Sequence, residues 1–72
     1  MTNRLVIYQD KYGWNGAVEF TVGRWPFQRT EHAPVTHAET AEEVFAWLHA
    51  CYPDRVIRLD PAVTRRYKKE AV

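Results

Sequence analysis

The side chains best equipped for chemistry in this 72-residue chain are three histidines, nine acids and a single cysteine. His32 and His37 stand on either side of Pro34, and His49 falls on a predicted helix. No acid lies at a ligand-like offset from a histidine on one helix face, so all three histidines read as surface or loop residues. Cys51 falls between Leu48 and Tyr52 on a predicted apolar stripe. A thiol there packs as a small hydrophobe, whereas a nucleophilic thiol needs an exposed, electropositive setting. One cysteine also rules out an internal disulfide framework and a multi-cysteine zinc site, and it fits a reducing cytoplasm. Gly13, Gly16 and Gly23 match neither phosphate-loop nor dinucleotide spacing, and with no serine in the chain there is no nucleophile elbow. The expectation is a protein without catalytic residues, metal or cofactor.

What remains is surface chemistry. The segment Lys11-Tyr12-Gly13-Trp14-Asn15-Gly16 and the corner Arg24-Trp25-Pro26-Phe27 set large aromatics beside cations. Tyr12, Trp14, Arg24 and Trp25 are therefore candidate partner-binding residues, because Trp, Tyr and Arg dominate protein hot spots and also suit stacking on bases. Arg65, Arg66, Lys68 and Lys69 form a basic cluster suited to phosphates or to an acidic protein patch. Glu39, Glu42 and Glu43 offer the opposite chemistry, a short row of carboxylates that would fit a basic groove.

The elements that must position these residues follow from periodicity. Leu5-Val6-Ile7-Tyr8 reads as a first strand, and Asp10 to Gly16, with its Asn-Gly pair, as a hairpin loop. From Ala17 to Val22 the chain alternates, with Val18, Phe20 and Val22 toward a core and Glu19 and Thr21 away from it. Gly23 to Phe27 turns. Part of the stretch from Phe27 to His37 forms a third strand that Pro34 confines to an edge. Thr40 caps a helix, with Glu43 three residues on. Ala41, Val44, Phe45, Leu48, Cys51 and Tyr52 form its apolar stripe. Pro53-Asp54 ends that helix, and Arg55 to Leu59 is a last strand, antiparallel to it, with Ile57 toward the core. Asp60-Pro61 starts a short C-terminal helix with Val63, Tyr67 and Ala71 on one side. The predicted fold class is α+β, a small antiparallel sheet of three to four strands in the order β-β-(β)-α-β-α, with one main helix on a face.

Composition sets the limits. Ordering 72 residues leaves room for one domain with one core, spanning 1–72 with the last few residues fraying. Ten aromatic residues stand in for the disulfides many chains of this size need, with Phe20, Phe45 and Tyr52 in the core and Trp14 and Trp25 either surface candidates or folded back over the open ends of the core. No run of apolar residues is long enough to span a bilayer, and the N-terminus does not read as a signal peptide, so neither membrane nor secretion is expected. The net charge of +1 conceals a division along the chain. Glu31, Glu39, Glu42, Glu43 and Asp54 face no Lys or Arg over 31–54, whereas Arg55, Arg58, Arg65, Arg66, Lys68 and Lys69 outnumber Asp60 and Glu70 over 55–72. Such polarity steers a protein toward a charged partner.

A cofactor-free, aromatic-rich α+β domain with polarised charge, built on the strands Leu5–Tyr8 and Val18–Val22 and the helix Thr40–Leu48, resembles small phage-encoded inhibitor proteins of the anti-CRISPR type. The resemblance is architectural and carries over no site residue. It implies a monomer or homodimer in the host bacterial cytoplasm that binds a host protein or ribonucleoprotein complex, such as a CRISPR effector, and blocks nucleic-acid or subunit docking. The alternative is a small nucleic-acid-binding or regulatory protein that uses the basic C-terminal helix. A third reading is an accessory domain that self-associates through its edge strand and Trp side chains.

Overall fold

The computed structural model describes residues 3–70. Among them the chain forms β1 (Arg4–Asp10), β2 (Gly13–Val22), β3 (Arg29–Ala38), α1 (Ala41–Cys51), β4 (Ile57–Leu59) and α2 (Pro61–Glu70). The strands make one sheet in the order β3-β2-β1-β4. This is the expected α+β order, with one addition: β4 pairs parallel to β1 while the other pairings are antiparallel. The cause is the direction of α1. Two hairpins leave β3 running the same way as β1, and α1 returns the chain, so the next strand must again run with β1. The crossover that a parallel pair requires is thus supplied by α1.

The run Leu5-Val6-Ile7-Tyr8 is apolar at every position because β1 is an interior strand covered on both faces. Leu5 and Ile7 pack with Val44 and Leu48 of α1, while Val6 and Tyr8 pack with Ala17 and with Val63 of α2. Since successive side chains point to opposite faces, the two helices cover opposite sides of the sheet. Both start at their expected caps. Thr40 Oγ1 accepts from the Glu43 N–H at 3.2 Å, and Asp60 Oδ1 from the Ala62 N–H at 3.0 Å. Pro34 sits on edge strand β3 beside an irregularity in its register with β2, where a missing N–H costs no sheet bond.

The first hairpin is tighter than expected. Its turn is Lys11-Tyr12, with Asp10 opposite Gly13, and the Asn15-Gly16 pair lies inside β2. The Asp10 carboxylate organises this turn, accepting from the Tyr12 N–H and from Asn15 Nδ2, both at 2.9 Å, and Gly13 supplies a φ of +139°. Gly16 serves packing instead. A Cβ there would stand 2.9 Å from Leu48 Cδ1, Val44 Cγ1 and Thr36 Cγ2, so its absence lets α1 settle on the sheet.

That point of closest approach explains why the buried stripe of α1 is narrower than its periodicity. Only Val44 and Leu48 are buried. Phe45, expected in the core, is 48% exposed, and Cys51, expected to be buried, is exposed at the last turn, beyond the contact with Gly16. Tyr52 does pack against the core, as does Ile57. Phe20 is only half-buried and packs in neither core cluster. Ala71 lies outside the described residues. Gly16→Ala should cost about 1–3 kcal/mol, since Leu48, Val44 and Thr36 must all give way in a packed layer, and urea denaturation of the two proteins measures it.

Candidate interaction surface

The residues singled out for binding fall at three places. Tyr12 is 74% exposed in the β1–β2 turn, with the Lys11 ammonium 5.0 Å from its ring centroid. Of the two placements open to Trp14, the structure shows the one folded back: it is half-buried and packs against the core under α1. As the second residue of β2 it faces the same side as Gly16 and Val18, so alternation carries it inward; a hairpin loop drawn through Gly16 hides this, because β2 starts four residues before Ala17.

The second place is the β2–β3 turn, at the far end of β2 from Tyr12. At about 3.4 Å per residue the ten residues of β2 separate the two turns by roughly 30 Å, so they do not form one surface. The turn is built by Gly23, whose φ of +89° and close approach to the Phe27 carbonyl exclude a side chain, and by a 2.6 Å hydrogen bond from the Phe27 N–H to the Arg24 carbonyl. The Trp25–Pro26 peptide inside it is cis. Its side chains stand clear of the sheet. Trp25 is 83% and Phe27 85% exposed, and Arg24 is exposed beside them. Phe27 belongs with the candidates as well, since it stands two residues from Trp25 in the same turn.

The third place is α2, where Arg65, Arg66 and Lys68 are exposed. The Lys69 side chain lies outside the described residues. Arg66 Nη1 donates to the Thr30 carbonyl at 3.2 Å, at the start of the strand that leaves the aromatic turn. The basic helix and Arg24-Trp25-Pro26-Phe27, read separately from the sequence, therefore converge on the same end of β3.

Beneath α2 lies a buried polar cluster that corrects the reading of His32 as a surface residue. Its side chain is 1% exposed. Arg4, Glu19 and His32 occupy neighbouring strands on the α2 face, in direct register from Arg4 to Glu19 to His32. Both oxygens of Glu19 are engaged. Oε1 takes Arg4 Nε and Nη2, each at 2.6 Å, and Oε2 takes His32 Nε2 at 2.9 Å. His32 Nδ1 stands 2.9 Å from the Tyr67 hydroxyl. An ionised carboxylate only accepts, so Nε2 carries a proton toward Glu19; in the neutral ring Nδ1 then accepts from the Tyr67 O–H, an assignment made from the bonding pattern. Tyr67 stacks on Tyr8 with ring centroids 4.6 Å apart, and Arg4 lies 3.7 Å from Asp60 at the start of α2. This chain of contacts fastens α2 to β1, β2 and β3.

Chemically, a carboxylate that orients a histidine toward a hydroxyl can move a proton. Here, however, the hydroxyl belongs to a half-buried ring stacked against Tyr8. The cluster works as a latch. Among the described residues no three His, Cys, Asp or Glu side chains converge as metal ligands.

The latch leaves a signature in pH. The Arg4 guanidinium, helped by His32, holds Glu19 below the usual glutamate pKa against the opposing effect of burial. Its contribution to stability is therefore complete above the unfolded-state pKa and is lost as pH falls through the lower folded one. Glu19→Gln should lose about 1–3 kcal/mol at pH 7, and the gap from the unsubstituted protein should narrow in acid, as read from urea midpoints between pH 7 and 2. Tyr8 behaves in the opposite sense. Burial pushes its hydroxyl up to about 12, with Tyr67 and Asp10 adding to the effect. That contribution is complete below about pH 10 and fades toward pH 12, so Tyr8→Phe should resist alkaline unfolding better than the unsubstituted chain. Compared with models of protein families, with curated proteins and with solved structures, the chain shows no match.

Proposed function

We propose that this chain is a non-enzymatic binding protein whose β2–β3 turn inserts Trp25 and Phe27 into a larger protein or ribonucleoprotein partner. The observation that carries this reading is the exposure of those two side chains, 83% and 85%. A chain this short gains stability from nearly every aromatic it buries, yet these two stand outside its core on a turn closed by a main-chain hydrogen bond. Exposed aromatics held on a defined turn beside Arg24 lose little side-chain freedom on binding and have the composition of a hot spot.

The finer reading is an inhibitor of the anti-CRISPR type, acting in a bacterial cytoplasm on a CRISPR effector and obstructing nucleic-acid or subunit docking. Its support is the small size, the exposed turn and the divided charge. The absence of a helix long and apolar enough to cross a membrane, among the described residues, is consistent with a partner in solution. A second reading rests on Arg65, Arg66 and Lys68, exposed on α2 beside the same end of β3. It makes nucleic acid the partner and predicts affinity that falls steeply with salt.

Co-purification from the host, followed by affinity measurement on the recovered partner, tests the proposal. A stoichiometric protein or ribonucleoprotein should be recovered, and Trp25→Ala and Phe27→Ala should each weaken binding by about 30-fold or more, as expected for hot-spot side chains. The thermal midpoint should scarcely move, because neither ring contributes to the core. Unchanged affinity in both variants sinks the turn as the binding element. If Arg65→Ala with Lys68→Ala is the change that removes binding, and nucleic acid is what binds, the second reading replaces the first.

A further inference from the structure

The sheet has a second edge that the aromatic turn does not touch. Strand β4 is outermost, on the side away from β3, and it presents different chemistry on each of its faces. On the α1 face, Leu59 is 57% exposed and lines a largely apolar groove of about 280 Å³ with Ile7, Ala41 and Phe45, where Glu42 is the charged residue of the lining. On the opposite face, Arg58 lines a cleft of about 430 Å³ with Arg4 and Arg55, where Asp54 is the acid of the lining. Arg4 is already engaged by Glu19, which leaves the guanidinium groups of Arg55 and Arg58 as the charge a ligand would meet. The Arg55 side chain is held at the rim through a hydrogen bond to the Asn3 carbonyl.

The main chain of β4 completes the site. The Asp60 N–H donates to the Ile7 carbonyl at 3.2 Å, so it points toward β1. Peptide groups alternate sides along a strand, which turns those of Arg58 the same way and those of Ile57 and Leu59 outward. The edge therefore offers outward N–H and C=O groups from two residues, with an apolar groove below and a basic cleft above. We propose that β4 accepts an extended segment of a partner protein whose residues alternate between acidic and apolar. A strand laid along this edge would direct its acids toward Arg55 and Arg58 and its apolar side chains toward Phe45 and Leu59, and consecutive residues on one face would fall about 6.8 Å apart.

Charge selects this occupant over a second copy of the chain. Two β4 strands pairing antiparallel about their middle residue would bring Arg58 against Arg58, a like-charge pair on an edge, which opposes self-association. An acidic segment meets the same arginines favourably. This surface is separate from the aromatic turn, and its test does not depend on that reading.

The probe is a capped peptide, Glu-Val-Glu-Leu-Glu-Val-Glu, titrated into the full-length isotope-labelled protein, with a counterpart in which every Glu is Lys. The acidic peptide should shift the amide signals of Ile57, Arg58 and Leu59 and slow hydrogen exchange at Ile57 and Leu59. It should bind at least 10-fold more tightly than the Lys peptide. Arg58→Glu, an exposed position, should reverse that preference, while Trp25→Ala with Phe27→Ala should leave it intact. The proposal is overturned by an absence of shifts at millimolar peptide, by equal responses to both peptides, or by loss of binding in the aromatic-turn variant. Sedimentation that shows a dimer protecting the same two amides also overturns it, in favour of a second copy.

Discussion

Strand β1 is the constraint on which the rest of the structure depends. It lies between β2 and β4, and its four consecutive apolar residues are buried, two on each face. A chain of this length cannot leave either face of that strand open to water, because the core it can assemble offsets the cost of ordering only narrowly. Each later element answers that need. The α1 helix covers Leu5 and Ile7, α2 covers Val6 and Tyr8, and β4 covers the remaining side by pairing in parallel.

The two coverings are of different kinds. Apolar packing fastens α1, and the missing side chain at Gly16 sets how closely it approaches. By contrast, α2 carries little apolar surface, Val63 and part of Tyr67, and depends on the hydrogen-bonded chain from Arg4 through Glu19 and His32 to Tyr67. A polar cluster of this kind is worth having only when every member is satisfied, and among the described residues no buried side-chain polar atom lacks a partner. The pairing of a small helix with a buried polar latch is how a short chain obtains a third layer without a third set of large apolar residues.

Much of the architecture is legible in the residues themselves. The apolar run at Leu5, the alternation from Val18 and the caps at Thr40 and Asp60 report local preferences that need no partner to be read. What they do not report is which elements meet. Glu19 points away from one core, and in isolation that looks like exposure to water. It becomes burial only because α2 covers that face and because the register of β2 with β3, shifted by the irregularity near Pro34, brings His32 opposite it. A slip of one residue would turn His32 to the other side. The placements of Trp14 and Cys51 escape periodicity for a related reason. Periodicity gives the direction of a side chain, whereas burial also depends on where the turn begins and where a helix passes beyond the sheet. For the candidate binding residues, the aromatic character of Arg24-Trp25-Pro26-Phe27 is plain in the sequence, while its convergence with α2 exists only in three dimensions.

The position of Cys51 has a consequence for the protein as a chemical object. It is the chain's one cysteine, and it is exposed at the end of α1. Any disulfide this protein forms must therefore join two different molecules. In a reducing compartment the thiol stays free; in air-equilibrated buffer the same side chain can couple two copies end to end through their α1 helices, leaving the core of each intact. Covalent pairing of that origin would report the redox state of the solution and carry no information about recognition.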